Sequence, residues 1–376
     1  MIKVIALFVI SIITYFFSGC NSCNQVNNEP IKIGAILPLS GDAAVYGKNL
    51  QNGMNLALEE YINNNPSSKK MKIIYEDSKA DPKLAISCFE KLLSVNKCKI
   101  ITGGFSSSET LSIAPIAEKN KIVFISPTAS SPSITSAGDY IFRTTPSDNF
   151  DGMLMAKFAF NILHLKTASI LFVNNEYGQG IEKVFKQQFV ALGGKINVEK
   201  SFQSGATDFK SQLSSIKSAK SNGFYIIASS ELGNILKQKI ELGLNQKIFT
   251  NGLAENPSVV EIAGKNNDTV FYSYPSFQVE SDNQLIKSFV ESYKRKYFIE
   301  PDVLGAYGYD LINIIIKSIQ DCNYNLTKVK DALYQIKDFQ GVTGETTFDK
   351  NGDIEKTAGI KMILDGKFKW FINNFK

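Results

Sequence analysis

Short apolar runs rich in β-formers alternate with longer amphipathic stretches along most of the chain. Ile31–Leu37 is apolar at nearly every position and stops at Pro38, which predicts a buried strand. A helical period follows from Gly47 to Tyr61. The pattern then predicts strand Met71–Tyr75, helix Pro82–Val95, strand Lys99–Thr102, helix Glu109–Glu118 and strand Ile122–Ile125. After Pro146 the alternation restarts. Helices are predicted over Asn149–Leu163, Gly178–Leu192, Asp208–Ala219 and Leu232–Leu242. They alternate with strands Ala168–Val173, Lys195–Val198, Phe224–Ile227, Ile248–Thr250 and Val270–Ser273. Strand–helix alternation through short loops predicts βαβ units on parallel sheets. The fold class is therefore α/β, with two doubly wound parallel sheets in tandem. Helices Asp282–Tyr297, Leu304–Gln320 and Leu326–Ile336 come next. Short strands Glu345–Asp349, Gly359–Leu364 and Phe368–Ile372 end the chain, with Asn351-Gly352 and Asp365-Gly366 as turn signals.

The N-terminus breaks this alternation. After Met1-Ile2-Lys3, residues Val4 to Phe17 are apolar except for Ser11 and Thr14, and Ser18-Gly19-Cys20 follows. A short positive start, an apolar stretch of roughly 14 residues and small residues before a cut site describe a secretory signal over residues 1–19. The stretch is short against the ~20 residues of a membrane span. Its small-small-Cys ending resembles the lipobox of bacterial lipoproteins, which implies cleavage before Cys20 and lipidation of that residue. A plain signal peptide or an uncleaved anchor is the alternative. Residues 20–30 are polar and read as a tether. Cys23 lies within it and has no assigned role.

Composition narrows the chemistry. The chain has 376 residues, enough for two domains at ~100–200 residues each. Its 44% hydrophobic and 20% charged content suits a folded globular protein. The only histidine is His164, so any Ser-His-Asp or Cys-His mechanism would have to pass through it. His164 reads as a helix C-terminal residue complementing the dipole. The 41 basic residues are interspersed with 36 acidic ones, which implies no nucleic-acid tract. Cys88, Cys98 and Cys322 sit in core-like patterns and read as small hydrophobes, with a Cys88–Cys98 disulfide as an alternative. Gly178-Gln179-Gly180 starts like a dinucleotide fingerprint but has Lys183 where the third glycine belongs. Asp349–Asp353 resembles the start of a Ca²⁺ loop, but Ile360 stands where its final Glu belongs. No metal or cofactor is expected.

Ligands of open α/β sheets sit outside the carboxyl ends of the strands. The loops there are Pro38–Gly47, Gly103–Glu109, Ser126–Pro132, Asn174–Gly180, Ser229–Glu231 and Asn251–Pro257. They are rich in hydroxyls and tyrosine and poor in His and Cys, which suits holding a small polar ligand unchanged. Ser106 starts a helix, where free N–H groups favour a carboxylate. Ser106-x-x-Glu109 is equally a capping box, which explains the serine without a ligand.

In order and spacing these segments resemble the type I periplasmic binding proteins of the branched-chain amino acid (leucine/isoleucine/valine) family. The resemblance rests on Ile33–Gly41, Tyr46-Gly47, Tyr75–Asp77, Asp81-Pro82, Ser106–Ser108, Ile125–Ala129, Phe142–Thr144, Tyr177-Gly178, Gly341–Gly344, Phe348-Asp349 and Asn351-Gly352. It runs from Ile31 to the C-terminus. It implies two Rossmann-like lobes joined by three crossovers and closing on a ligand. Lobe one would be residues 31–146 plus 279–339, and lobe two 147–278 plus 340–376. It also implies a non-enzymatic, exported, membrane-anchored monomer that delivers an amino acid to the permease and ATPase subunits of an ABC importer.

By the same resemblance Ser106 holds the ligand carboxylate beside Phe105. Thr128, Ala129 and Ser130 offer carbonyl and hydroxyl groups, and Tyr46 and Tyr177 face the ligand from opposite lobes. A turn of Pro and Ser, and two tyrosines packed on their own loops, are the plainer readings. The family's acidic ammonium anchor falls at Gly252 or Leu253 here, and Glu255 is the nearest substitute. Glu255 is also placed to favour the dipole of a following helix. Ala228 stands where a pocket aromatic is common. A ligand-sensing receptor of the same fold, binding an amino acid, amide or urea-like compound, is the second reading. A Rossmann enzyme is the third, disfavoured by the missing G-x-G-x-x-G, phosphate-loop and G-x-S-x-G motifs.

Overall fold

The computed structural model describes residues 29–264, 269–275, 277–354, 356 and 358–375. The signal at 1–19, Cys20 and Cys23 lie outside the described residues.

The first sheet is built from β1 (Ile31–Leu37), β2 (Met71–Asp77), β3 (Ile100–Gly103), β4 (Val123–Ser126) and β5 (Ile141–Arg143). All pairs are parallel, in the order β2-β1-β3-β4-β5. Helices α1 (Ala44–Asn64), α2 (Pro82–Ser94) and α3 (Ser107–Asn120) connect them. Strands β3 and β4 are buried at every position, as continuous apolar runs require when helices cover both faces. Local chemistry sets the helix starts. Pro82 opens α2, and Asp81 accepts the N–H groups of Lys83 and Leu84 at 2.8 and 2.9 Å.

The second sheet begins with β6 (Thr167–Val173), β7 (Lys195–Phe202), β8 (Gly223–Ile227), β9 (Lys247–Thr250) and β10 (Val270–Pro275). These parallel strands lie in the order β7-β6-β8-β9-β10. The order repeats that of the first sheet, so the tandem expected from the alternation is present. The intervening helices are α4 (Asp148–Lys157), α5 (Glu176–Ala191), α6 (Lys210–Ser218), α7 (Leu232–Glu241) and α8 (Pro257–Ala263). Two late strands, β13 (Ala358–Leu364) and β14 (Lys367–Phe375), extend this sheet antiparallel to β10. Asp365 and Gly366 make their turn at φ +52° and +70°, the double positive φ of a type I′ hairpin.

Three late helices, α9 (Gln284–Tyr297), α10 (Val303–Asp321) and α11 (Val329–Tyr334), return to the first sheet. Helix α10 packs against α1 at backbone distance. A Cβ on Gly53 would stand 1.9 Å from the Gly305 carbonyl oxygen, and one on Gly308 would stand 2.2 Å from that of Leu50. Only glycine permits this approach.

The small hairpin of β11 (Phe339–Gly341) and β12 (Gly344–Thr346) also joins this body. The Val342 and Thr343 N–H groups both donate to the Asp310 carboxylate on α10, each at 2.8 Å. Phe348 packs in the same core as Phe142 and Ile33, and Asp353 pairs with Arg143 of β5 at 2.7 Å. Residues on both sides of Phe339–Gln340, as far as Ile354, thus share a core with the first sheet. The expected strand Glu345–Asp349 is split. Its first part pairs with β11, and Phe348 bridges to Ile354.

Three elements escaped the periodic pattern: strands β5 and β11 have three residues each, and α8 has seven. The helix expected over Asn149–Leu163 is α4 followed by a π-helical turn, Phe158–Ile162, with His164 beyond it at φ +56°. Cys88, Cys98 and Cys322 are free thiols, and Cys98 is buried in the core between α2 and α3. Among the described residues, no helix is long and apolar enough to cross a membrane.

Candidate ligand cleft

The carboxyl ends of both sheets open on one cavity of about 460 Å³. Its first wall comes from the loops after β1, β3 and β4 and includes Tyr46, Phe105, Ser106, Thr128 and Ser130. Its second wall includes Asp148, Asp151, Tyr177, Ser273 and Glu255. Chain passages between the sheets close the side through Thr145, Pro146, Pro275 and Lys356. All the candidate residues read from the sequence border this space except Ala129. That residue is buried, and its N–H is turned to the Ser126 hydroxyl at 3.0 Å.

The first wall is internally paired. Ser106 caps α3: its hydroxyl accepts the Glu109 N–H at 3.2 Å and donates to Glu109 Oε2 at 2.9 Å. The Ser106 N–H also donates to Oε2, at 2.8 Å, which completes the capping box. Burial pushes the Glu109 carboxyl above its ordinary range. The Thr128 hydroxyl donates to the Phe105 carbonyl at 2.7 Å and fixes one loop to the next. Arg143 braces the loop after β4 from behind. It donates to the carbonyls of Ser130 and Ser131 at 3.0 and 2.9 Å, while its other nitrogens hold Asp353 and Thr135. Tyr46 stacks on Phe105 with ring centroids 5.7 Å apart and planes 8° apart. Asn256 reaches across the cleft and donates to the Tyr46 hydroxyl at 3.0 Å.

The second wall is different. Ser147 caps α4, which places Asp148 and Asp151 in the first turn. The Asp148 N–H donates to the Ser130 carbonyl at 2.7 Å, tying the two walls together. The Asp148 side chain is buried, and its Oδ2 has no partner. Burial, with the charge of Asp151 beside it, holds the Asp148 carboxyl well above the usual range. Burial likewise pushes Asp151 up to about 6, although the Ser273 hydroxyl bonds it. Tyr177 and Tyr225 feel the same two carboxylates, and burial raises both phenols. The Tyr225 hydroxyl has no partner.

Glu255 borders the cleft, but both its oxygens are engaged. Tyr272 donates to Oε2 at 2.5 Å, and Lys361 forms an ion pair with Oε1. The Lys361 ammonium lies 4.6 Å from the Tyr274 ring centroid. Lys356 lines the cavity at the last passage between the sheets. Burial lowers it to about 8 against the opposing charge of Asp310. It donates to the Thr343 hydroxyl, which in turn donates to Asp310 Oδ2 at 2.5 Å.

Asp148, Asp151, Tyr225, Asn256 and Lys356 were not among the residues read from the sequence. Two acids in the first turn of a helix read as dipole partners, and Tyr225 reads as one apolar position in a strand. Among the described residues, no group of three or more His, Cys, Asp or Glu is arranged to hold a metal ion. The cleft offers a helix start with hydroxyls on one side and the buried carboxyls of Asp148 and Asp151 on the other. That is complementary to a small molecule carrying both signs of charge.

Comparison with known proteins agrees with this geometry. Residues 30–361 match the family model described as periplasmic binding protein. The leucine-, isoleucine-, valine-, threonine- and alanine-binding protein of Pseudomonas aeruginosa is 28% identical over 334 residues, covering 87% of this chain and 88% of that protein. The crystal structure of a leucine-binding protein from Thermotoga maritima superposes with a TM-score of 0.85 at 28% identity, covering 90% of this chain and 97% of that one. A branched-chain amino acid transporter substrate-binding protein from Streptococcus pneumoniae, in complex with isoleucine, gives 0.82 at 27% identity, covering 90% and 98%. The repeated sheet order, the cleft at the strand ends and the match over most of the chain lead to one assignment: the chain belongs to the periplasmic binding protein family, with the type I fold.

Proposed function

We propose that this chain is the substrate-binding lipoprotein of an ABC importer and traps a small zwitterion, an amino acid of branched-chain or related type, between two lobes. The observation that carries the reading is the polarity of the cleft. The α3 N-terminus and hydroxyls of Ser106, Thr128 and Ser130 face one way, and the carboxyls of Asp148 and Asp151 face the other. A helix start stabilises a carboxylate, and buried carboxyls stabilise an ammonium. Tyr46, Phe105 and Tyr177 supply the apolar walls between them. The names of the Pseudomonas, Thermotoga and Streptococcus relatives support the same ligand class.

We place the lobes at residues 31–146 plus 277–354 and 147–275 plus 358–376, with the third crossover near Lys356. Bending at these three passages closes the cleft. The signal over 1–19, lipidation at Cys20 and the tether to Pro30 anchor a monomer to the membrane on its outer side, where it meets the permease that the ATPase subunits drive from the other side. Thermal-shift and calorimetric titration with the twenty standard amino acids, after unfolding and refolding to strip bound ligand, tests the ligand class. Saturable binding of at least one amino acid without turnover is expected. No binding by any of them overturns the reading. Radiolabelled palmitate incorporation that persists in Cys20→Ser overturns the anchor.

A further inference from the structure

Glu255 is the residue that order along the chain offers as the ammonium anchor, yet its charge is already spent. Its two oxygens face Lys361 and the Tyr272 hydroxyl, and Lys361 is further held over the rings of Tyr274 and Trp370. A ligand ammonium at Glu255 would compete with a resident ammonium held in a half-buried ion pair. That exchange gains little.

The first turn of α4 offers the opposite situation. Asp148 is 4% exposed, lines the cavity, and leaves Oδ2 without a hydrogen bond. A buried acceptor without a partner is costly to keep. Asp151, one turn on, lines the same space and has the Ser273 hydroxyl as its partner. The nearby Tyr225 hydroxyl is fully buried and also unpartnered. Arg143 is the fixed cation that acts on Asp148, but all five of its N–H donors are committed to Asp353, Thr135 and the carbonyls of Ser130 and Ser131. Asp148 and Asp151 thus border one end of the cavity, with the Tyr225 hydroxyl buried near them, and among the described residues no ion pair joins either carboxyl to a side-chain cation.

We propose that the cationic end of the ligand binds at the Asp148–Asp151 pair, and that Glu255 is a structural partner of Lys361. This rests on the amino-acid reading above and deepens it. The group that fits is a primary ammonium. It carries three donors and no acceptor, which match the oxygens of two carboxylates. With the α3 N-terminus opposite, the cleft selects molecules bearing a carboxylate and an unsubstituted ammonium. It discriminates against the hydroxy acid of the same shape, because that molecule leaves the carboxyl pair without a charge partner.

The test is calorimetric titration of the refolded full chain with its tightest-binding standard amino acid and with the 2-hydroxy analogue of that amino acid. The wild type is expected to prefer the amino acid. In Asp151→Asn the affinity for the amino acid is expected to fall about tenfold or more, while the hydroxy acid changes by less than about threefold. Asp148→Asn serves as the second variant, and circular dichroism with thermal melting verifies that each is folded. Glu255→Gln is expected to keep the preference. Loss of the preference in Glu255→Gln, with retention in folded Asp151→Asn and Asp148→Asn, overturns the assignment and leaves the amino-acid reading intact. A wild type that binds no amino acid overturns both.

Discussion

The two walls of the cleft solve opposite problems. On the first, the groups that border the cavity are paired before any ligand arrives: Ser106 by Glu109, whose other oxygen is buried behind it without a partner, Thr128 by the Phe105 carbonyl, and the Ser130 carbonyl by Arg143 and by the Asp148 N–H. On the second, Asp148 Oδ2 and the Tyr225 hydroxyl are buried without partners. A satisfied wall is rigid and stable, because its hydrogen bonds are made at folding. An unsatisfied wall stores unfavourable free energy that a ligand can relieve. Substitutions should therefore have opposite signs on the two walls of the unliganded protein. First-wall changes should destabilise it, and second-wall changes should stabilise it while weakening the liganded form.

The largest effect is expected at Arg143. Arg143→Met strips Asp353 of its charge partner and removes the side-chain bonds to two loop carbonyls, so urea unfolding should show a loss of about 3–5 kcal/mol. A loss below about 1 kcal/mol would mean that the brace behind the first wall is not a source of stability. Ser106→Ala removes the hydroxyl half of the cap, leaving the backbone N–H bond to Glu109, and should cost about 1 kcal/mol, up to about 2, with weaker amino-acid binding as well. Unchanged binding would reduce Ser106 to a helix cap. Tyr225→Phe should run the other way and raise the unliganded unfolding free energy by about 1 kcal/mol, because it removes an unpaired buried hydroxyl. A destabilised Tyr225→Phe would end the contrast between the walls.

An effect of similar size is in pH dependence. Asp151 titrates near 6 in the folded chain, above its unfolded value, with Ser273, Asp148, Tyr177, Tyr225 and Tyr307 facing it. The raised pKa means that the native state binds the extra proton. Its stabilising contribution is complete below about 4 and is lost as pH rises through about 6. The difference in stability between wild type and Asp151→Asn, measured without ligand at pH 5 and pH 7, should therefore shift in favour of the variant at pH 7. No shift would remove Asp151 from the set of strained groups.

The same contrast explains what was legible in the chain. The first wall is local chemistry. Ser106 and Glu109 are three residues apart and advertise a capping box, and the hydroxyl-rich loops follow strands that the apolar runs mark clearly. The second wall is made by convergence. Asp148 and Asp151 meet Tyr225 of β8 and Ser273 of β10, positions brought together only by the sheet. Glu255 was readable as an acid near the right strand, but Lys361, more than a hundred residues on, is what occupies it. The three residues of β5 and the seven of α8 are too short for periodicity to register.

The glycine contact between α1 and α10 bears on how the chain is assembled. Sheet one is translated first, yet β1 residues Ile33 and Ala35 share their core with Leu311, Ile312 and Ile315 of α10. Until those residues are available, that face of the first sheet is covered only in part, by α1, which itself has nothing to lock against. Every long-range contact of this kind must wait for a loop that contains the whole second parallel sheet. A nascent chain therefore stays incompletely packed until nearly all of it exists. Fragments ending before α10 should be protease-sensitive and prone to bind chaperones, and refolding should be limited by the docking of that one helix.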